Sequence, residues 1–355
     1  RMTYKRRFNS RIVLFLLTCC SVIVYVFLVP NFKHVDELEH SDVEIPQFSQ
    51  ILSSKDVFTR SGNKRIVDVK TFPENDHKRV IDAAKHITRD NKTLLVSFIN
   101  NAFLPFAYSW FCNTKPMGIH DQVLVIAADY ETEQELRKNV PSIEVVSVTG
   151  YKVKGSQNFT HAGYVRLGIK RTEMVKWILN ENIGIFIIEF DCLWVKNPIA
   201  KMKSYNNYDL TITQVIGREP GNVAIGFYYM SPSDRMKKLW NELDRRLKVL
   251  DAKLQKLPSG KKVHYEDNDQ TYLHKLLDEK YGGVRMKIVS QYEFPDGKWY
   301  GFTKAEREKY RPYIINNNWL IGTDTKIQRA KTWGHWFLKS DGTCDEDQVK
   351  KIVEL

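Results

Sequence analysis

Ile183 to Pro198, IGIFIIEFDCLWVKNP, is the stretch that most limits what this chain can fold into. Its almost wholly apolar start reads as a strand buried on both faces, the kind found inside an α/β sheet. The run ends abruptly in two carboxylates, Glu189 and Asp191, followed by Trp194 and Asn197-Pro198. Ligand crevices of open α/β sheets lie at the carboxyl ends of their strands, so this pair is placed for chemistry rather than packing. Residues i and i+2 of a strand point the same way, which lets the two acids share one cation.

The flanking pattern supplies the rest of a sheet. Leu94 to Ile99 predicts a first strand with Asn100-Asn101 at its carboxyl end, Val123 to Ala127 a second ending at Asp129, and Ile143 to Val148 a third. Tyr164 to Leu179 has helical spacing and leads into the acid-tipped strand. Asn197 suits an N-cap, with Pro198 at the first helical position. Asp209 to Thr213 and Val223 to Met230 fit further strands. Ser233 to Leu250, Asp267 to Glu279 and Thr325 to Leu338 fit helices, and Lys78 to Ile87 reads as another. Strands alternating with crossover helices imply one α/β domain with a mostly parallel sheet over residues 91–340, followed by a tail, 341–355.

Ile12 to Pro30 carries no charge, and its 19 residues are about the minimum for a hydrocarbon core of roughly 30 Å. Arg1, Lys5, Arg6, Arg7 and Arg11 precede it, and Asp36, Glu37, Glu39, Asp42 and Glu44 follow. That asymmetry predicts a cytosolic tail (1–11), an uncleaved signal anchor (12–30) and a lumenal remainder beginning with a polar stem (31–90). A cleaved signal peptide is the rival, but the run is long for one and ends in Phe27-Leu28-Val29-Pro30 without a small-residue cleavage site. Sequons at Asn91 and Asn158 fall in the lumenal part. Cys112, Cys192 and Cys344 are lumenal and odd in number, so one intrachain pair at most is available, and Cys192 is expected in the core opposite Asp191. The net charge of +12 suits a phosphorylated donor or an acidic acceptor, and equally a solvated basic surface with no particular partner, while no basic run with interleaved aromatics points to nucleic acid.

Several segments together resemble the nucleotide-diphospho-sugar transferase family, related to glycosyltransferase family 77 and built on the GT-A fold. Tyr164-Val165-Arg166 through Arg171 resembles the family helix before the metal strand. Glu189 through Trp194 and Pro198 resembles its D-x-D-x-x-W…P element, and Gly226-Phe227-Tyr228-Tyr229 its Gly-Phe strand. Asp269-Gln270 resembles its D-Q element, Phe294-Pro295-Asp296-Gly297 its F-P-x-G turn, and Asn316 through Gly322 with Lys326 its H-x-N-W-x-x-G…K segment.

The resemblance implies a Golgi enzyme moving a sugar, with retention, from a nucleotide sugar (commonly uridine diphosphate-linked) to a glycan or glycoprotein. Mn²⁺ or Mg²⁺ is implied, with Asp191 as principal ligand and Glu189 and Asn316 beside it. Asn100, Arg171, Asn318 and Gly322 are expected to bind the donor, and Asp269, Gln270 and Lys326 to act in catalysis. Arg166 and Arg171 would be surface residues of an amphipathic helix if they do not reach phosphate. Trp319, Trp333 and Trp336 pack by default, with a stacking floor for a sugar as the alternative.

Glu189 stands where the family commonly has Asp, and Asn316 where it has His. Those departures favour a second reading, a catalytically silent scaffold that binds nucleotide or glycan. A glycoside hydrolase, which needs paired carboxylates flanking a sugar, has no matching motif set.

Overall fold

The apolar runs pair with one another because each is too hydrophobic on both faces to lie at a surface. The computed structural model describes residues 76–148, 155–215 and 222–355. The expected cytosolic tail, the apolar span 12–30 and the stem as far as residue 75 lie outside the described residues, as do 149–154 and 216–221. Among the described residues no helix is long and apolar enough to cross a membrane.

In chain order the strands are β1 (Leu94–Ile99), β2 (Val123–Ala127), β3 (Glu144–Ser147), β4 (Ile185–Ile188), β5 (Cys192–Trp194), β6 (Leu210–Gln214), β7 (Val223–Met230), β8 (Met286–Ile288) and β9 (Ile314–Asn316). The helices are α1 (Asp76–Thr88), α2 (Leu104–Thr114), α3 (Tyr130–Asn139), α4 (Ala162–Asn180), α5 (Ile199–Lys203), α6 (Asp234–Leu254), α7 (Asp269–Asp278), α8 (Lys304–Arg307), α9 (Thr323–Thr332) and α10 (Glu346–Ile352). Seven strands form one sheet in the order β3-β2-β1-β4-β7-β6-β8, and β5 pairs with β9 in a separate ribbon. β1 is parallel to β2 and β4, β2 to β3, and β6 to β8, while β7 runs antiparallel between β4 and β6. The sheet is thus mixed, mostly parallel and flanked by helices.

Alternation along the strands divides the core into two layers. Leu94, Val96, Ile185, Ile187, Tyr228 and Met230 face α1, α4, α6 and α7. Leu95, Phe186, Ile188 and Phe227 face α2 and the ribbon. Pro198, not Asn197, is the N-cap of the short α5 and Ile199 its first residue; Asn197 lies one residue earlier and accepts from the Ile199 N–H at 3.0 Å in a local turn.

Both ends of the domain differ from expectation. The helix read within the stem, α1, buries Val80, Ile81, Ala83, Ala84 and Ile87 in the core at helical spacing, so residues from Asp76 belong to the body. The expected tail is equally integrated: Cys344 is disulfide-bonded to Cys112 of α2, and Val349 of α10 is buried. Cys192 is the free, buried cysteine. The helix expected to reach Leu338 stops at Thr332. There Gly334, at φ 68, lets its own N–H donate to the Lys331 carbonyl and that of His335 to the Ala330 carbonyl, a Schellman closure of the helix.

Candidate active site

β4 ends at Ile188, and Glu189-Phe190-Asp191 is a turn leading into β5 rather than a continuation of the strand. What fixes this turn is Trp194. Its ring packs edge-on against Trp110, with centroids 5.2 Å apart, and against Phe227. The Asn113 side chain serves it as a substitute strand partner, accepting from the Trp194 N–H at 2.8 Å and donating to its carbonyl at 2.9 Å. Truncating a tryptophan so buried to alanine costs about 3–5 kcal/mol, and here it would also release the acids.

Each of the two acids is paired with a side-chain cation of its own. Lys326 Nζ of α9 lies 2.6 Å from Asp191 Oδ2, with both side chains largely withdrawn from solvent. Burial alone would lower the Lys326 pKa, but the Asp191 charge and hydrogen bond override it and hold it above the ordinary value. Arg171 of α4 donates from Nη1 to Glu189 Oε1 at 3.2 Å and from Nη2 to Asp269 Oδ2 at 2.7 Å. Arg171 is therefore a largely enclosed clamp between two carboxylates, neither a surface residue nor one turned outward to phosphate. Desolvation, then the Asp191 charge, pushes the Glu189 pKa up against the pull of Arg171 and Lys326. Arg166 donates to the carbonyls of Leu254 and Leu257 at the end of α6, which favours a cation there.

The β5–β9 register sets Asn316 opposite Cys192, next in sequence to Asp191. Gly226 of β7 completes the pocket by having no side chain. A Cβ there would lie 2.3 Å from Asn316 Nδ2 and 2.6 Å from Glu189 Oε2, so only glycine lets these groups approach the sheet edge together. Asp269 and Gln270 open α7, where the Ile225 N–H donates to Gln270 Oε1 at 3.4 Å. The structure thus brings Glu189, Asp191, Asn316, Arg171, Asp269, Gln270 and Lys326 around the carboxyl end of β4.

The other expected residues are engaged with the backbone. Asn100 is buried at the end of β1 and donates to the Gly155 carbonyl at 2.8 Å. Asn318 Oδ1 accepts from the Gly297 N–H at 2.7 Å, and Gly322 precedes α9. Sequence reasoning missed Arg329 and the role of Asp296. Arg329 donates from Nε to Asn317 Oδ1 at 2.7 Å and from Nη2 to the Asn318 carbonyl, bracing the loop between β9 and α9. Its partners are a dozen residues away in sequence, and no local pattern marks it.

Asp191 Oδ1 and Asn316 Oδ1 are buried without a hydrogen-bond partner. With Glu189 they make an all-oxygen set that fits a hard dication such as Mn²⁺ or Mg²⁺ better than a softer metal. Among the described residues no group of three or more His, Cys, Asp and Glu side chains forms a metal site.

The nucleotide-diphospho-sugar transferase family model matches residues 118–330, which contain every residue of this cluster. The chain belongs to that family. It is accordingly a nucleotide-sugar-dependent glycosyltransferase, and the hydrolase reading falls away. UDP-D-xylose:L-fucose alpha-1,3-D-xylosyltransferase 1 of Arabidopsis thaliana is 23% identical over 274 residues, covering 72% of this chain and 73% of the relative. UDP-galactose:fucoside alpha-3-galactosyltransferase of Dictyostelium discoideum is 19% identical over 222 residues, covering 58% and 34% respectively. Among solved structures, the glycosyltransferase GlyE of Streptococcus pneumoniae is similar with a TM-score of 0.42 at 12% identity, over 73% of this chain and 62% of that one.

Proposed function

We propose that this transferase moves a sugar from a uridine diphosphate donor to a terminal 6-deoxyhexose of a glycan or glycoprotein, with retention, at the lumenal face of the Golgi membrane. The observation that carries the donor half is the Asp191–Lys326 pair beside Glu189 at the end of β4. The relatives support the acceptor half. The Arabidopsis xylosyltransferases are named for UDP-D-xylose and L-fucose, and the Dictyostelium enzyme for UDP-galactose and a fucoside. Across them the transferred sugar changes, whereas the uridine diphosphate and the fucose do not. The alpha linkages in their names are what retention at an alpha-linked nucleotide sugar would give.

In this reading Lys326 supplies a fixed positive charge to the departing diphosphate, placed before the reaction so that little reorganisation is needed. Arg171 positions Glu189 and Asp269 by holding both, and Asp269 with Gln270 faces the sugar. Glu189, Asp191 and Asn316 would hold Mn²⁺ or Mg²⁺, which when bound adds neutralising charge on the diphosphate. Lumenal residence is supported by the Cys112–Cys344 disulfide, since such bonds persist in oxidising compartments. The sequon residues Asn91 and Asn158 are both exposed. The type II anchor remains the reading of residues 12–30.

The test is incubation of the protein with methyl α-L-fucoside and UDP-xylose or UDP-galactose, with NMR assignment of the product anomer. An α-linked disaccharide supports the proposal. A β-linked product overturns retention, and transfer only to acceptors without a deoxyhexose overturns the acceptor class.

A further inference from the structure

The loop joining β9 to α9 starts at Asn316, beside Glu189, and leads to Lys326 on Asp191, so both of its ends reach the carboxylate turn. Midway along it, Trp319 has φ 65. A left-handed backbone costs a residue with a side chain about 1–2 kcal/mol, which is why glycine or asparagine usually takes such a position. Trp319 is nevertheless 44% exposed, and Ile321, two residues on, is 62% exposed. Fold stability alone would favour the opposite arrangement, a small residue on the strained backbone and the large apolar groups inside.

The strained residue is also held still. The indole Nε1–H donates to Asp296 Oδ2 at 2.7 Å, and the Lys298 ammonium lies 4.4 Å from the ring centroid. Behind it, the Gly297 N–H and Arg329 grip Asn318. Backbone strain maintained by surrounding bonds collects at functional sites rather than at random. Lys298 covers part of the ring, and the 44% of Trp319 that is exposed, already fixed, loses little freedom when a ligand packs on it. Trp319 is three residues from Asn316, so their Cα atoms are at most about 10 Å apart. A group stacked on the ring therefore lies close to the donor end of the site.

We propose that Trp319 and Ile321 form the floor of the acceptor subsite and receive the apolar face and the methyl group of a terminal 6-deoxyhexose. A deoxyhexose carries a methyl where an ordinary hexose has a hydroxymethyl, and two exposed apolar side chains beside a polar transfer site match that difference. This assignment rests on the acceptor class proposed above and names the residues that would recognise it.

The test compares wild type with Trp319→Phe, Trp319→Ala and Ile321→Asp, using methyl α-L-fucoside as the probe. Acceptor KM, saturation-transfer NMR to the fucoside methyl, and the melting-temperature shift caused by the UDP-sugar are measured for each. Trp319→Ala is expected to raise acceptor KM about two- to tenfold, as loss of an aromatic stacking contact implies. It should also abolish the methyl signal while keeping the UDP-sugar shift, and Trp319→Phe should retain most of both. Ile321→Asp, at an exposed position that leaves folding intact, should weaken the methyl signal. Wild-type-like KM and methyl signal in Trp319→Ala and Ile321→Asp would overturn the floor while leaving the acceptor reading standing. A wild-type protein that shows the UDP-sugar shift but no contact with the fucoside would overturn both the acceptor class and its floor.

Discussion

Lys326 Nζ and Asp191 Oδ2 are 2.6 Å apart although 135 residues separate them in sequence. The Asp191 side chain is 2% exposed and that of Lys326 is 18% exposed. Removing one member leaves the other charged and buried, so Lys326→Met should destabilise the protein by about 3–5 kcal/mol. The double variant Asp191→Asn/Lys326→Met should recover much of that loss and still be inactive in transfer. Denaturant titration of both variants measures this. Equal loss in the single and double variants would deny the coupling.

Arg171 spans two acids, which a lysine cannot do from one point charge. Arg171→Lys should keep the fold with a smaller stability loss than Arg171→Ala, yet lower transfer by an order of magnitude or more, because one of Glu189 and Asp269 loses its partner. Steady-state kinetics at saturating donor, alongside melting curves, separates this from simple unfolding.

His120 is buried between α2 and β2, with its Nε2 3.0 Å from Thr114 Oγ1. Burial, opposed in part by Asp121, lowers its pKa to about 4. The folded state then binds a proton less readily than the unfolded chain. The stability His120 supports is complete above about pH 6.5 and is lost as pH falls through about 4, amounting to roughly 3 kcal/mol. His120→Gln should flatten this part of the melting-temperature profile between pH 6.5 and pH 4. An unchanged profile would exclude His120 as its source.

The Cys112–Cys344 bond closes a loop of 232 residues and fastens the segment leading into α10 to α2. Replacing both cysteines with serine should cost about 2–5 kcal/mol. Amide exchange should quicken first at residues 335–355 and leave β1, β2 and β4 protected. Uniform quickening would show instead that the bond supports the whole domain.

The sheet was legible because buried runs such as Leu94–Ile99 and Val223–Met230 admit few other folds, and both strands fall at the residues expected. The helix overshoot to Leu338 had a local signal, Gly334, whose left-handed φ ends α9. By contrast, α1 was readable as a helix but not as core, since its polar surroundings resemble a stem and its partners lie on β2, β3 and α4. The acids of the site were legible from their place after a buried strand. Their partners were not: Arg171 reaches Asp269 across 98 residues, and Arg329 grips a loop through backbone carbonyls. Such pairings are fixed by tertiary packing and leave no periodic trace.

Under the proposed function, Asp191, in the turn after β4, would hold the dication that binds the diphosphate of a UDP-sugar. The most direct measurement is the melting temperature of wild type and Asp191→Asn with UDP-xylose or UDP-galactose, with and without Mn²⁺. A ligand at a hundred times its Kd stabilises the folded state by about 2.7 kcal/mol, which such a measurement resolves. Wild type should show a shift that needs both the UDP-sugar and Mn²⁺, and the shift should disappear in a folded Asp191→Asn protein. A full shift in Asp191→Asn, or none in wild type with any UDP-sugar, would contradict this role of Asp191.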